Sequence, residues 1–259
     1  MRKSSLFALV FAFVMASGAL SAHDLWVTAD KPEAGKVFPL IVGYGHDYPS
    51  WEAIPEEEYG LFKVKLLGPG GEIPLTAATP NYKWNSAGPA EAGAYVMVAD
   101  AAPVFWTRTP DGWSMKPRNE TPGATSCGRF IEGAKGITAV GNAGARENVT
   151  KPVGLPLEIV PGADPTGIKP GSPLPLTVLL IGKPLPSARI FARYAGFDKI
   201  AKSTDASAFT SVTDKDGKVN FVPLVPGEWL VTVRHETPYP DPAVCDKEDY
   251  GTSLHFEVN

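Results

Sequence analysis

Cysteine and histidine are scarce in this chain. It holds two cysteines, Cys127 and Cys245, and four histidines, His23, His46, His235 and His255. A thiolate metal site would want a CxxC pair, and none exists. In an oxidising compartment an isolated pair reads first as a disulfide, with two free thiols as the alternative. Positive charge is in deficit, with 24 Lys and Arg against 28 Asp and Glu. That balance argues against nucleic acid, whose phosphates call for a basic face, and disfavours anionic membranes. Also missing are Gly-x-Ser-x-Gly, His-Glu-x-x-His, a phosphate loop and GxGxxG. With no constellation for catalysis, the chain reads as a binding protein and not an enzyme. No stretch combines helical spacing with caps.

Long apolar runs are nearly absent, and the exception lies at the start. Arg2 and Lys3 precede Leu6-Phe7-Ala8-Leu9-Val10-Phe11-Ala12-Phe13-Val14-Met15, followed by the small residues Ala16, Ser17, Gly18, Ala19, Ser21 and Ala22. A basic start, a short apolar run and a small-residue end describe a secretory signal peptide over residues 1–22. The run falls short of the roughly 20 apolar residues that span a bilayer, and no later segment reaches that length, so stable membrane insertion is not expected. Cleavage after Ala22 leaves His23 first, and cleavage after Ser21 leaves Ala22 first. A small residue before the cut favours the former. Loss of Arg2 and Lys3 leaves 22 basic against 28 acidic side chains, a mature charge of −6 that suits a solvated periplasmic protein.

What the chain does have is punctuation. Its 26 glycines and 26 prolines are spread along its length between short β-branched and aromatic runs, the pattern of many strands joined by turns. Residues 31–45 and 169–182 echo one another, each a Pro and Gly before a strand that ends in Gly. Ala92-Gly93-Ala94-Tyr95-Val96-Met97-Val98 is likewise echoed by Pro226-Gly227-Glu228-Trp229-Leu230-Val231-Thr232-Val233. Two copies in the same order predict an all-β fold of two tandem β-sandwiches, Ig-like or prealbumin-like. The boundaries expected are 23–120 for the first, 121–152 for a Gly- and Ala-rich connector, and 153–259 for the second. The connector has one plausible strand at Arg129-Phe130-Ile131 and could add it to a sandwich. Around Asp214-Lys215-Asp216-Gly217 a hairpin is expected. The segment starts like a calcium loop, but its twelfth position is Val225 where a bidentate Glu is required.

The histidines are the candidate metal ligands, ranked His23, His46, His235, His255. Exposed by cleavage, His23 would offer an amino group and an imidazole together, donors that suit nickel, cobalt or copper. The alternative is a polar terminus with no role. His46 follows Tyr44 on one face of an alternating strand, beside Asp47. His235 ends a strand in phase with Trp229, Val231 and Val233, where an edge histidine with purely structural partners is the usual outcome. His255 is out of phase with Leu254, Phe256 and Val258 and is expected to be solvated. Glu56-Glu57-Glu58 reads as a solvated charge run. Trp51, Trp84, Trp106 and Trp113 fit either a sandwich core or a sugar-stacking surface.

Several segments resemble a family of exported bacterial proteins described as a domain of unknown function. The opening Ser21-Ala22-His23-Asp24-Leu25-Trp26-Val27 resembles its mature start, in which His is followed by an acidic residue and an aromatic. Gly43-Tyr44-Gly45-His46, Gly154-Leu155-Pro156-Leu157-Glu158-Ile159-Val160-Pro161, Gly182-Lys183-Pro184-Leu185 and Thr213-Asp214-Lys215-Asp216-Gly217 extend the match over the mature chain. The resemblance implies a periplasmic component of nickel or cobalt uptake, working with a membrane transporter, and it singles out His23. A structural or carbohydrate-binding sandwich of the cell envelope is the alternative.

Overall fold

A computed structural model describes residues 23–54, 56–79, 82–141, 144, 146–203 and 206–259. The expected signal peptide lies outside them. Residues 56 and 57, from the acidic run, are described by backbone alone. The first half carries β1 (Asp24–Ala29), β2 (Val37–Gly45), β3 (Phe62–Gly68), β4 (Gly71–Ile73), β5 (Leu75–Ala78), β6 (Lys83–Pro89), β7 (Gly93–Ala101), β8 (Val104–Thr109) and β9 (Gly112–Ser114). The long β10 (Ser126–Val140) follows. The second half carries β11 (Leu157–Pro161), β12 (Leu174–Leu180), β13 (Lys183–Pro184), β14 (Arg189–Tyr194), β15 (Phe209–Val212), β16 (Lys218–Phe221), β17 (Gly227–Pro238) and β18 (Lys247–Val258). Only α1 (Phe197–Ala201) is α-helical among the described residues. No helix of the described residues is long and apolar enough to cross a membrane.

These strands form three sheets in three layers. The middle one runs β15-β14-β17-β18-β10-β7-β3-β4, with the β8–β9 hairpin added on β10. One outer sheet is β1-β2-β6-β5, and the other is β11-β12-β13 with β16 on β12. Strand alternation assigns one outer sheet to each face of the middle one. On β7, Tyr95, Met97 and Ala99 pack with Phe38, Leu40 and Val42 of the first outer sheet. Ala94, Val96 and Val98 face the other way, into a core with Leu157, Ile159, Leu176 and Val178. The fold is therefore all-β and sandwich-like, as the punctuation predicts, with two sandwiches that share their middle layer.

The segment 121–152 holds the strand at the centre of that layer. β10 pairs parallel with β18 over Gly128–Gly136 and antiparallel with β7 over Gly133–Val140. The single short strand expected at Arg129–Ile131 is fifteen residues long. Its glycines make room for crossing chains: a Cβ at Gly136 would lie 2.2 Å from the carbonyl oxygen of Val27, so β1 can cross the middle sheet only because the side chain is missing. Ser253 Oγ donates to Leu25 O at the same crossing, 2.5 Å away.

The turn at 214–217 forms as expected, with Asp214 Oδ1 accepting from the amides of Asp216 and Lys218. Its flanking strands then part. β15 joins β14 in the middle sheet while β16 joins β12 in the outer one. The hairpin is thus a corner between layers, because its two strands bury their apolar residues against each other instead of side by side. Cys127 and Cys245 are joined by a disulfide, 118 residues apart. It ties the start of β10 to the loop before β18, and a loop of that length is worth up to about 4–5 kcal/mol in the chain-entropy account. The bond fits an oxidising compartment.

Candidate metal centre

The site grows from the register of one hairpin. β1 and β2 pair antiparallel with Asp24 opposite Gly45 and Leu25 opposite Tyr44. One step further places His23 opposite His46, a cross-strand pair on one face. Their ring centroids are 4.1 Å apart, and Tyr44, diagonal to His23, stacks on it at 4.5 Å.

After His46 the chain reverses and returns. Tyr48 and Ile54 are buried at 2% and 3% exposure and pin this loop to the core. Tyr48 packs on Trp26 and Leu230. Between the two anchors the Glu52 amide donates to Tyr44 O at 2.7 Å, which swings the Glu52 carboxylate over the histidines. Glu52 Oε1 accepts from the His46 amide and Oε2 meets His23 Nε2, both at 3.1 Å. Gly45 permits this closeness, since at its φ of +150° a Cβ would stand 3.1 Å from Glu52 Cγ.

One ligand atom from each of His23, His46 and Glu52 lies within 4.8 Å of the others. Two imidazoles and a carboxylate form a donor set for a late first-row divalent ion, with positions left for water or another donor. Desolvation, the largest single influence, raises the Glu52 carboxyl. The His46 amide and the two imidazoles outweigh it and hold the group below its usual range, as the acceptor form a metal needs. Tyr44 is different: burial, then Glu132 and Glu58, push its phenol far up. It stays a phenol and serves as a stacking wall.

Beneath the ligands runs a layer of buried charge drawn mostly from the second half. Arg234 Nη2 donates to His23 O at 2.5 Å and to Glu132 at 3.1 Å. Arg193 Nη1 donates to His46 O at 3.0 Å, and its Nη2 donates to Asp24. Asp24 also lies 4.0 Å from Arg234. Burial raises the Glu132 carboxyl, with Arg234 opposing.

Of the four histidines proposed as ligands, the fold brings together His23 and His46. His235 is half-buried on β17 and next to Arg234, whose side chain faces the site. Alternation therefore sends His235 to the other face of the sheet, across from Tyr250. His255 corrects a sequence expectation, being 6% exposed and not solvated. β1 and the loop ending at Tyr48 cover its face of β18, and the ring of Tyr48 stands 6.0 Å from it. Burial pulls its pKa down to about 4, and Nδ1 has no hydrogen-bond partner, so it is a neutral core residue apart from the cluster. Glu52 was not anticipated. Its only sequence signal is its place six residues beyond His46, after a Pro-containing reversal.

No curated protein matches the chain in sequence. Among solved structures, the D0-D1 domain of intimin is 14% identical over 90% of this chain and 97% of that one, with a TM-score of 0.22. The fibronectin(III)-like modules of Clostridium thermocellum CbhA are 14% identical over 88% of this chain and 93% of that one, with a TM-score of 0.18. The Escherichia coli adhesin FdeC is 13% identical over 89% of this chain and 62% of that one, with a TM-score of 0.20. These are likenesses among β-rich chains and go no further. The sequence family is another matter, because its model spans residues 20–237 and so takes in His23, His46, Glu52 and both arginines beneath them: the chain belongs to the family described as Domain of unknown function (DUF4198).

Proposed function

We propose that this chain is a periplasmic protein that binds a transition metal ion, nickel or cobalt with copper as a further fit, and passes it to a membrane uptake transporter. The observation that carries the reading is the convergence of His23, His46 and Glu52 within 4.8 Å. Nitrogen donors select late first-row metals over magnesium and calcium. The His23 and Glu52 side chains are 33% and 51% exposed, which leaves the ion accessible for hand-over. Cleavage after Ala22 would add the amino group of His23 as a fourth donor. A metal ion and a proton compete for that nitrogen, so loading releases protons and strengthens as pH rises.

The test is a nickel, cobalt and copper titration by calorimetry on naturally processed protein whose N-terminus is confirmed by mass. The expected result is one ion per chain, lost in His23→Ala and weakened in Glu52→Gln. Binding that persists unchanged in His23→Ala overturns the reading.

A sugar-binding sandwich is the second reading, and Trp113 supports it. Trp113 is 49% exposed on the β8–β9 hairpin. It meets Trp106 edge to face at 6.4 Å, and Arg108 lies 5.8 Å from its ring centroid. A glycan array with no hit removes that form of it.

A further inference from the structure

We infer that Arg193 and Arg234 are positioning residues of the metal site, each gripping the backbone of one histidine ligand. The inference rests on the metal-binding reading above and names what fixes the geometry of that site. A metal ligand works only if its ring is already aimed, because aiming it at the moment of binding costs affinity. The hairpin alone does not secure this. His23 precedes the first residue of β1 and His46 follows the last residue of β2. Both ligands therefore sit where a two-stranded ladder frays.

Each is held from below by a guanidinium. Arg234 Nη2 reaches His23 O at 2.5 Å, and Arg193 Nη1 reaches His46 O at 3.0 Å. The guanidiniums are themselves fixed by acids. Glu132, Asp249 and Asp24 lie 3.1, 3.6 and 4.0 Å from Arg234, and Asp24 also pairs with Arg193. Asp24 thus links the two arginines and follows His23 directly in the chain. These four residues come from four strands of the middle sheet: Arg193 from β14, Arg234 from β17, Asp249 from β18 and Glu132 from β10. A guanidinium presents its donors in a fixed planar fork and so holds a carbonyl and a carboxylate in set directions, which a rotating ammonium at the end of a flexible stem does not reproduce. Outer-shell partners of this kind change metal affinity by about 10–100-fold when replaced.

The test uses Arg234→Lys and Arg193→Lys, which keep the charge that Asp24, Glu132 and Asp249 require, with Arg189→Lys on β14 as the control. Two measurements are made on each mature, disulfide-bonded protein. Copper(II) titration followed by electron paramagnetic resonance reads affinity and the number of coordinated nitrogens. Proton NMR of the metal-free protein reads the ring-to-ring contact between His23 and His46. The expected result is an affinity about tenfold or more weaker in both site variants, a copper spectrum split into more than one species, and loss of the ring contact. Arg189→Lys matches the wild type throughout. If the wild type binds no metal, the uptake reading fails while the NMR contact still decides whether the arginines position the rings. A ring contact and affinity unchanged in both folded variants overturn the inference.

Discussion

The middle sheet buries charge on both faces, and the two burials differ in where they lead. On the face under β11, Lys135 and Glu158 are 1% and 2% exposed and pair with each other. Glu158 also accepts from the amides of Val153 and Gly154, and Lys135 donates to Ile159 O at 3.3 Å. Neither charged side chain of that pair reaches water. On the face under β1, Asp24, Glu132, Arg193, Arg234 and Asp249 are between 7% and 31% exposed, and their hydrogen bonds end on the carbonyls beneath two open imidazoles. The first arrangement is closed and fastens a core. The second is open at one end and supports a site. Two positions of β10 three residues apart show the contrast, since Glu132 and Lys135 point to opposite faces of one strand.

Breaking the closed pair has the largest expected effect. Burial lowers the Lys135 ammonium and Glu158 draws it back up. Lys135→Met strands the carboxylate and is expected to cost about 3–5 kcal/mol in urea unfolding. Lys135→Met combined with Glu158→Leu should recover most of that loss, since the stranded charge is gone and only the amides of Val153 and Gly154 lose their acceptor. A double variant as unstable as the single one would show that the pair specifies the core and does not merely neutralise itself.

Next comes acid. His255 has a folded pKa of about 4 against about 6.5 unfolded. Between those values the unfolded chain binds a proton that the native one refuses, so stability falls as pH drops from 6.5 towards 4. The full loss is about 3 kcal/mol. Unfolding free energy measured across this window should slope steeply in the wild type and less so in His255→Leu. Equal slopes would place the acid sensitivity elsewhere.

The smallest effect belongs to the open site. His23 and Glu52 form an exposed pair, so His23→Ala should change stability by less than about 1 kcal/mol while abolishing metal binding. A large loss of stability there would make the histidine structural and collapse the contrast between the two faces.

The sequence made much of this legible, for reasons that differ by region. β7, β11, β12, β14 and β17 each carry an alternating or apolar run, and periodicity finds them. β10 hides because a strand buried under chains on both sides needs small residues: a Cβ at Gly133 would meet Leu155 at 2.8 Å, and one at Gly136 would meet Val27. Small residues spread along a segment read as a connector. His23 and His46 stand out by residue type, and the β1–β2 register explains their meeting. Glu52 depends on how one loop folds back, which no spacing rule supplies. Arg193 and Arg234 lie 147 and 211 positions from the carbonyls they hold, and nothing local marks either one. His255 defied its phase because a crossing strand covers a face that alternation alone leaves open.

That separation of 211 residues sets an order of events. Synthesis makes the histidine first and delivers the arginine that holds its carbonyl 211 residues later. Until β17 is made and laid against β18, the first ligand hangs from an unfinished edge. An ordered pairing of His23 with His46 would therefore report that folding has reached β17 and β18, whose Arg234 and Asp249 lie beneath it.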